Sequence, residues 1–160
     1  MSAAGAAAPE LLLDNQLCFL VYRLHRGITD LYRPVLAELG LTYPQYLVML
    51  VLWEEQPLTV SRLGERLHLD SGTLSPLLKR LETSGLVSRT RSLVDERSVE
   101  VSLTTAGRSL RRRAKDVPSI IGGCIAGTPE EYWATRERLE SLVARVDSAL
   151  EEDSIPVQAS

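Results

Sequence analysis

Cysteine is scarce in this chain: Cys18 and Cys124 are the only two. They are too few for the disulfide framework of a small secreted scaffold, which leaves a redox role open. His25 and His68 are equally sparse and too scattered for a zinc set, so no metal is expected. No glycine-rich phosphate loop and no Ser-His-Asp pattern is present, which speaks against an enzyme and gives no reason to expect a cofactor. No apolar run approaches the ~20 residues of a spanning helix. The small residues at the start lack the basic and apolar regions of a signal peptide, so a cytoplasmic protein with no membrane role is expected. Surplus positive charge is missing too. The net charge of −3 excludes binding to nucleic acid through bulk basicity alone. What remains is an ordinary composition, 44% hydrophobic and 24% charged over 160 residues, which is one domain's length with material for a real core.

The pattern concentrates between residues 59 and 104. Val60, Leu63 and Leu67 share one helical face, and Leu74, Leu77, Leu78 and Leu81 repeat the spacing i, i+3, i+4, i+7. Between them, residues 69–73 (LDSGT) supply capping oxygens for the second helix and a glycine for the turn. Projection at 3.6 residues per turn leaves Gly72, Ser75, Pro76, Lys79 and Thr83 opposite the leucines, with Arg80 at the flank. A small, polar, basic face of this kind can approach base edges and phosphates in a major groove, although it also fits a plain solvated helix. Gly85 signals a helix stop. Leu86 to Thr90 can run extended, and Val99, Val101 and Leu103 alternate with polar residues as a half-buried strand does. The hairpin between them carries Arg89, Arg91, Asp95, Glu96 and Arg97, and an arginine on such an arm suits the minor groove. This segment holds seven basic against six acidic residues, a weak positive excess over an acidic remainder.

Residues 69–82 (LDSGTLSPLLKRLE), then Gly85-Leu86-Val87, then residues 95–107 (DERSVEVSLTTAG), closely resemble the MarR family of dimeric winged-helix regulators. Within it the chain resembles the organic hydroperoxide resistance repressors. The resemblance covers roughly residues 13–150. It implies a mainly α fold with a small β-hairpin wing, that is, a winged helix-turn-helix, forming a homodimer through its N- and C-terminal helices. The expected organisation is a disordered leader (1–10), a single domain (11–150) with dimerisation helices at 11–40 and 105–150 flanking the winged helix-turn-helix (59–104), and a flexible tail (151–160). Ser71, Gly72, Thr73, Ser75, Pro76, Lys79, Arg80, Arg89, Arg91, Asp95 and Arg97 are the expected contacts to a double-stranded DNA operator.

Toward the start, Asp14 is a candidate cap for a first long helix whose stripe is Leu17, Leu20, Leu24, Ile28 and Leu31. Cys18 then falls in the first turn, where free N–H groups and the helix dipole favour negative charge; it shares a flank with Tyr22 and His25. By resemblance, Cys18 matches the peroxide-sensing thiol, Tyr32 and Tyr43 the tyrosines that hydrogen-bond it from the other subunit, and Tyr22 a further pocket aromatic. Cys124 resembles the resolving thiol of the two-cysteine members. A cysteine that is merely a small core hydrophobe is the plain alternative. Thr42 is a candidate cap for the next helix, and Trp53 is expected in the core. Thr104 or Thr105 can cap a helix toward Pro118, whose basic run (Arg108, Arg111, Arg112, Arg113, Lys115) reads best as a solvated face. Pro118, Gly122 and Gly123 favour a bend that leaves Cys124 mobile. Thr128-Pro-Glu-Glu131 is a capping box for a last helix with the seam Leu139, Leu142, Val143, Val146 and Leu150.

The implied function is a repressor that binds a pseudo-palindromic operator when reduced and leaves it when an organic hydroperoxide oxidises Cys18. A repressor released by a small phenolic ligand, a thiol peroxidase and a protein-binding adaptor stay open beside it.

Overall fold

The structure, a computed structural model, describes residues 8–91 and 98–151. The expected leader before residue 8, the wing residues Asp95, Glu96 and Arg97, and the expected tail beyond residue 151 lie outside the described residues. In chain order the elements are α1 (Leu17–Ala37), α2 (Tyr43–Glu54), β1 (Leu58–Thr59), α3 (Val60–Leu67), α4 (Ser71–Thr83), β2 (Val87–Arg91), β3 (Val99–Leu103), α5 (Thr105–Arg113), α6 (Val117–Ile125) and α7 (Pro129–Glu151). Two short 3₁₀ turns, Pro9–Leu11 and Leu13–Asn15, precede them. The chain forms two compact units divided after Val117.

In the first unit α2 is the centre. Its sequence is apolar on nearly every face, so it is covered on nearly every face. Tyr46, Val48, Met49 and Leu52 are fully buried there. Leu36 from α1 and, as the leucine spacing predicts, Leu63 from α3 and Leu74, Leu78 and Leu81 from α4 close the core. Trp53 joins it and donates its indole N–H to the Gly107 carbonyl at 2.9 Å. Caps start the helices: Thr42 and Gln45 form a capping box on α2, the Thr59 hydroxyl takes the Arg62 N–H on α3, and Thr104 takes the Gly107 N–H on α5.

The strands form one antiparallel sheet in the order β1-β3-β2. Val87 pairs with Leu103 and Arg91 with Val99 across the hairpin, while Leu58 and Thr59 pair with Val101 and Glu100 on the other side. The two-residue β1 was not expected, because so short a strand shows no periodicity. Val101 and Leu103 point into the core, and Val99, farther out along the wing, is exposed.

Three expectations need correction. α1 begins after Gln16, not Asp14. The Gln16 amide donates to the carbonyls of Glu10 at 2.6 Å and Leu12 at 3.2 Å, and that of Asn15 to Pro9 at 2.8 Å, which holds the chain in 3₁₀ turns past Asp14. Gly72 does not make the turn between α3 and α4. That turn passes through His68 at φ 52°, and Gly72 is already helical. The glycine that matters is Gly64, where a Cβ would stand 2.8 Å from the Leu69 carbonyl oxygen. Cys124 does not sit in a bend either, because α6 runs from Val117 to Ile125. In the second unit Gly122 lies under the Tyr132 ring, 3.8 Å from where a Cβ would be, so this glycine lets α6 and α7 approach closely and does not break the helix. The Thr128–Glu131 capping box starts α7 as its spacing predicts.

Candidate nucleic-acid interface and thiol site

α4 is presented from its cap outward. One Asp70 carboxylate oxygen accepts the Thr73 N–H and the other the Thr73 hydroxyl, both at 2.8 Å, and these bonds hold the Asp70 carboxyl below its usual range. Ser71, Gly72, Thr73, Ser75, Pro76, Lys79 and Arg80 are all exposed, so the face projected from the sequence is free of the core. The Ser75 hydroxyl donates to the Ser71 carbonyl at 2.7 Å, leaving its outward lone pairs as acceptors. Pro76, Lys79, Arg80, Thr83 and Ser84 line an open groove along the second half of the helix. Lys79 and Arg80 have no ion pair among the described residues.

The wing strand divides its arginines. Arg91 is exposed. Arg89, by contrast, is engaged: its Nε at 2.9 Å and Nη2 at 2.5 Å both donate to the Glu82 Oε2. The guanidinium holds the Glu82 carboxyl below the ordinary carboxylate range. Glu82 was not among the expected site residues. Its signal was an acid on the outward stripe of α4, seven positions after Ser75. A second unforeseen tie is Arg66 of α3, which bridges Glu54 at 2.5 Å and Glu55 at the end of α2.

Cys18 is exposed as the second residue of α1. Its turn of helix belongs to an apolar surface left exposed among the described residues: Leu17 is 60%, Leu20 52% and Leu24 43% exposed. Tyr22 lies one turn on, with Arg26 over its ring at 5.7 Å and donating to its hydroxyl at 3.2 Å. Tyr32 and Tyr43 meet each other at 4.5 Å between ring centroids, and Tyr32 also meets buried Tyr46 at 5.7 Å. Burial pushes the Tyr43 hydroxyl above its ordinary range. Fourteen positions of one helix separate Cys18 from Tyr32, about 21 Å at 1.5 Å per residue. The structure therefore brings the tyrosines together but keeps them from the thiol of their own chain. Cys124 is exposed on α6 in the second unit, where Leu139, Val143, Val146 and Leu150 of α7 are exposed as well.

Residues 30–113 match the model of the transcriptional regulator SarA/Rot family. The organic hydroperoxide resistance transcriptional regulator of Bacillus subtilis is 49% identical over 131 residues, 82% of this chain and 89% of that protein. The chain belongs to the MarR-like winged-helix transcriptional regulators. Among solved members of the family, the structure of reduced AbfR bound to DNA superposes with a TM-score of 0.77 at 38% identity, over 86% of this chain and 94% of that one. Disulfide-formed AbfR superposes at 0.60 and 40% identity, over 87% and 92%. AbfR is a protein of Staphylococcus epidermidis. These MarR-like relatives are regulators, not enzymes. Among the described residues no helix is long and apolar enough to cross a membrane, and no cluster of three or more His, Cys, Asp or Glu could hold a metal ion.

Proposed function

We propose that this chain is a dimeric, thiol-based transcriptional repressor of the organic hydroperoxide type. The reduced dimer binds a pseudo-palindromic operator, with α4 of each subunit in the major groove and Arg97 of each wing in the minor groove. Ser71, Gly72, Thr73, Ser75, Pro76, Lys79 and Arg80 form the groove-facing surface.

The observation that carries the redox half is the 14-residue separation of Cys18 from Tyr32 on a helix whose apolar face is exposed among the described residues. An antiparallel copy of α1 crossing near the middle of the helix covers that face and sets Cys18 against Tyr32 and Tyr43 of the partner subunit. Their hydroxyls donate to the thiolate, and the surrounding leucines and aromatic rings suit an alkyl peroxide. The thiolate attacks one peroxide oxygen, the O–O bond breaks, and the alkoxide leaves and takes up a proton as the alcohol. Cys18 is then a sulfenic acid. Cys124 of the partner subunit attacks that sulfur, a disulfide forms and water leaves. The recognition helices lose their register and the operator is released. The relative that has been solved reduced on DNA and with a disulfide formed supports this sequence of events.

The test treats reduced protein with one equivalent of an alkyl hydroperoxide and follows non-reducing gels, intact mass and operator binding. Wild type is expected to give a covalent dimer and release DNA. Cys18→Ser and Cys124→Ser give no covalent dimer, and Cys124→Ser traps a gain of about 16 Da on Cys18. Operator release that persists in Cys18→Ser points to a reversibly bound ligand instead.

A further inference from the structure

The winged half holds an ion pair that the family-derived reading of its arginines does not explain. Arg89 spends two guanidinium donors on one oxygen of Glu82, and the two residues belong to different elements, the middle of β2 and the last turn of α4. Glu82 lies on the same stripe of α4 as Ser75, seven positions earlier, and is within a turn of Lys79. An unpaired carboxylate there would face phosphates.

The rest of the wing's attachment shows what the pair adds. At the base, the Leu86 N–H donates to Leu81 at 3.0 Å, and the Thr104 hydroxyl to Gly85 at 2.6 Å. On one side of the sheet β1 holds β3 through Leu58 and Thr59. On the other side, facing α4, Val87 is the one buried residue of β2, and Ser88 to Arg91 are all exposed. Beyond Val87, the side-chain bonds among the described residues that tie β2 to α4 are those of Glu82, to the Arg89 guanidinium and, as a weaker influence on its carboxyl, to the Arg89 backbone.

We infer that Glu82 and Arg89 form a positioning pair that fixes the direction of the wing relative to the recognition helix, so that Arg89 acts through Glu82 and not as a phosphate contact. The lowered carboxyl of Glu82 accords with a permanently ionised partner. This rests on the DNA-binding reading above.

The experiment measures affinity for a duplex that the wild-type protein selects from a randomised pool, over a series of salt concentrations, for E82Q, R89Q and the swap E82R/R89E. A wild-type protein that selects no sequence would overturn the DNA-binding reading itself, separately from this one. For a positioning pair, E82Q and R89Q each weaken binding by roughly two- to fivefold, the range open to a part-exposed ion pair. The slope of log K against log salt stays at the wild-type value, and the swap regains most of the loss. A phosphate contact gives the opposite sign at Glu82: E82Q binds more tightly, because a repelling carboxylate is gone and Arg89 is free. R89Q then lowers the slope by about 1, and the swap binds worst. Either of these last results overturns the inference.

Discussion

The winged helix-turn-helix and the terminal helices bury their leucines to very different degrees. Leu63, Leu74, Leu78 and Leu81 are fully buried within one chain, while Leu17, Leu20, Val143 and Leu150 lie open to solvent on helices that are longer still. The first region completes its own core and the second does not. Apolar spacing at 3.6 residues per turn is the same signal in both; it says that a face will be covered and is silent on which chain covers it. On the function proposed above, the DNA-reading surface is preformed on one compact unit, whereas the thiol site draws half its parts from each subunit.

Leu78→Ala tests the contrast most strongly. It is expected to lower unfolding free energy by about 2–5 kcal/mol at any protein concentration, read by denaturant titration. Gly107→Ala comes next at about 1–3 kcal/mol, since its Cβ would stand 2.1 Å from the Leu86 carbonyl oxygen, and thermal melts should show the loss. Leu20→Arg should leave the melting of the winged region little changed and shift sedimentation from dimer to monomer. Collapse of the whole fold in that variant would abolish the distinction between the two regions.

Asp70→Ala is expected to lower the melting temperature modestly at pH 7. The native Asp70 carboxyl is depressed by its bonds to Thr73, so its contribution is fully present above the ordinary aspartate range, about 4, and disappears as pH falls through the lower folded-state value. Wild type and variant should therefore converge in acid melts. The smallest structural effect belongs to Tyr43→Phe, which keeps the ring against Tyr32 and removes one hydroxyl. Its melting should match wild type while stopped-flow oxidation of Cys18 by an alkyl hydroperoxide slows, and an unchanged rate would remove Tyr43 from the thiol pocket.

Much of this architecture is legible in the sequence. The leucine periods placed α3 and α4, Thr42 and the Thr128–Glu131 box placed two helix starts, and the alternation of Val101 and Leu103 placed the buried face of β3. The misses have physical causes. His68 takes a left-handed conformation without glycine, and nothing local in its sequence announces that. The sequence around Gly122 suggests a bend because glycine permits both a bend and a close helix contact, and only the Tyr132 ring on the next helix decides between them. The pairing of Arg89 with Glu82 joins a helix to a strand, and periodicity within either element carries no trace of it.

The distance along α1 between Cys18 and Tyr32 has a genetic consequence. If each sensor draws its thiol from one subunit and its phenols from the other, two differently broken chains can repair one another. Mixed dimers of a Cys18→Ser chain and a Tyr32→Phe chain contain one site with both lesions and one site with none. Such a heterodimer should regain one full-speed sensor that neither parent homodimer possesses.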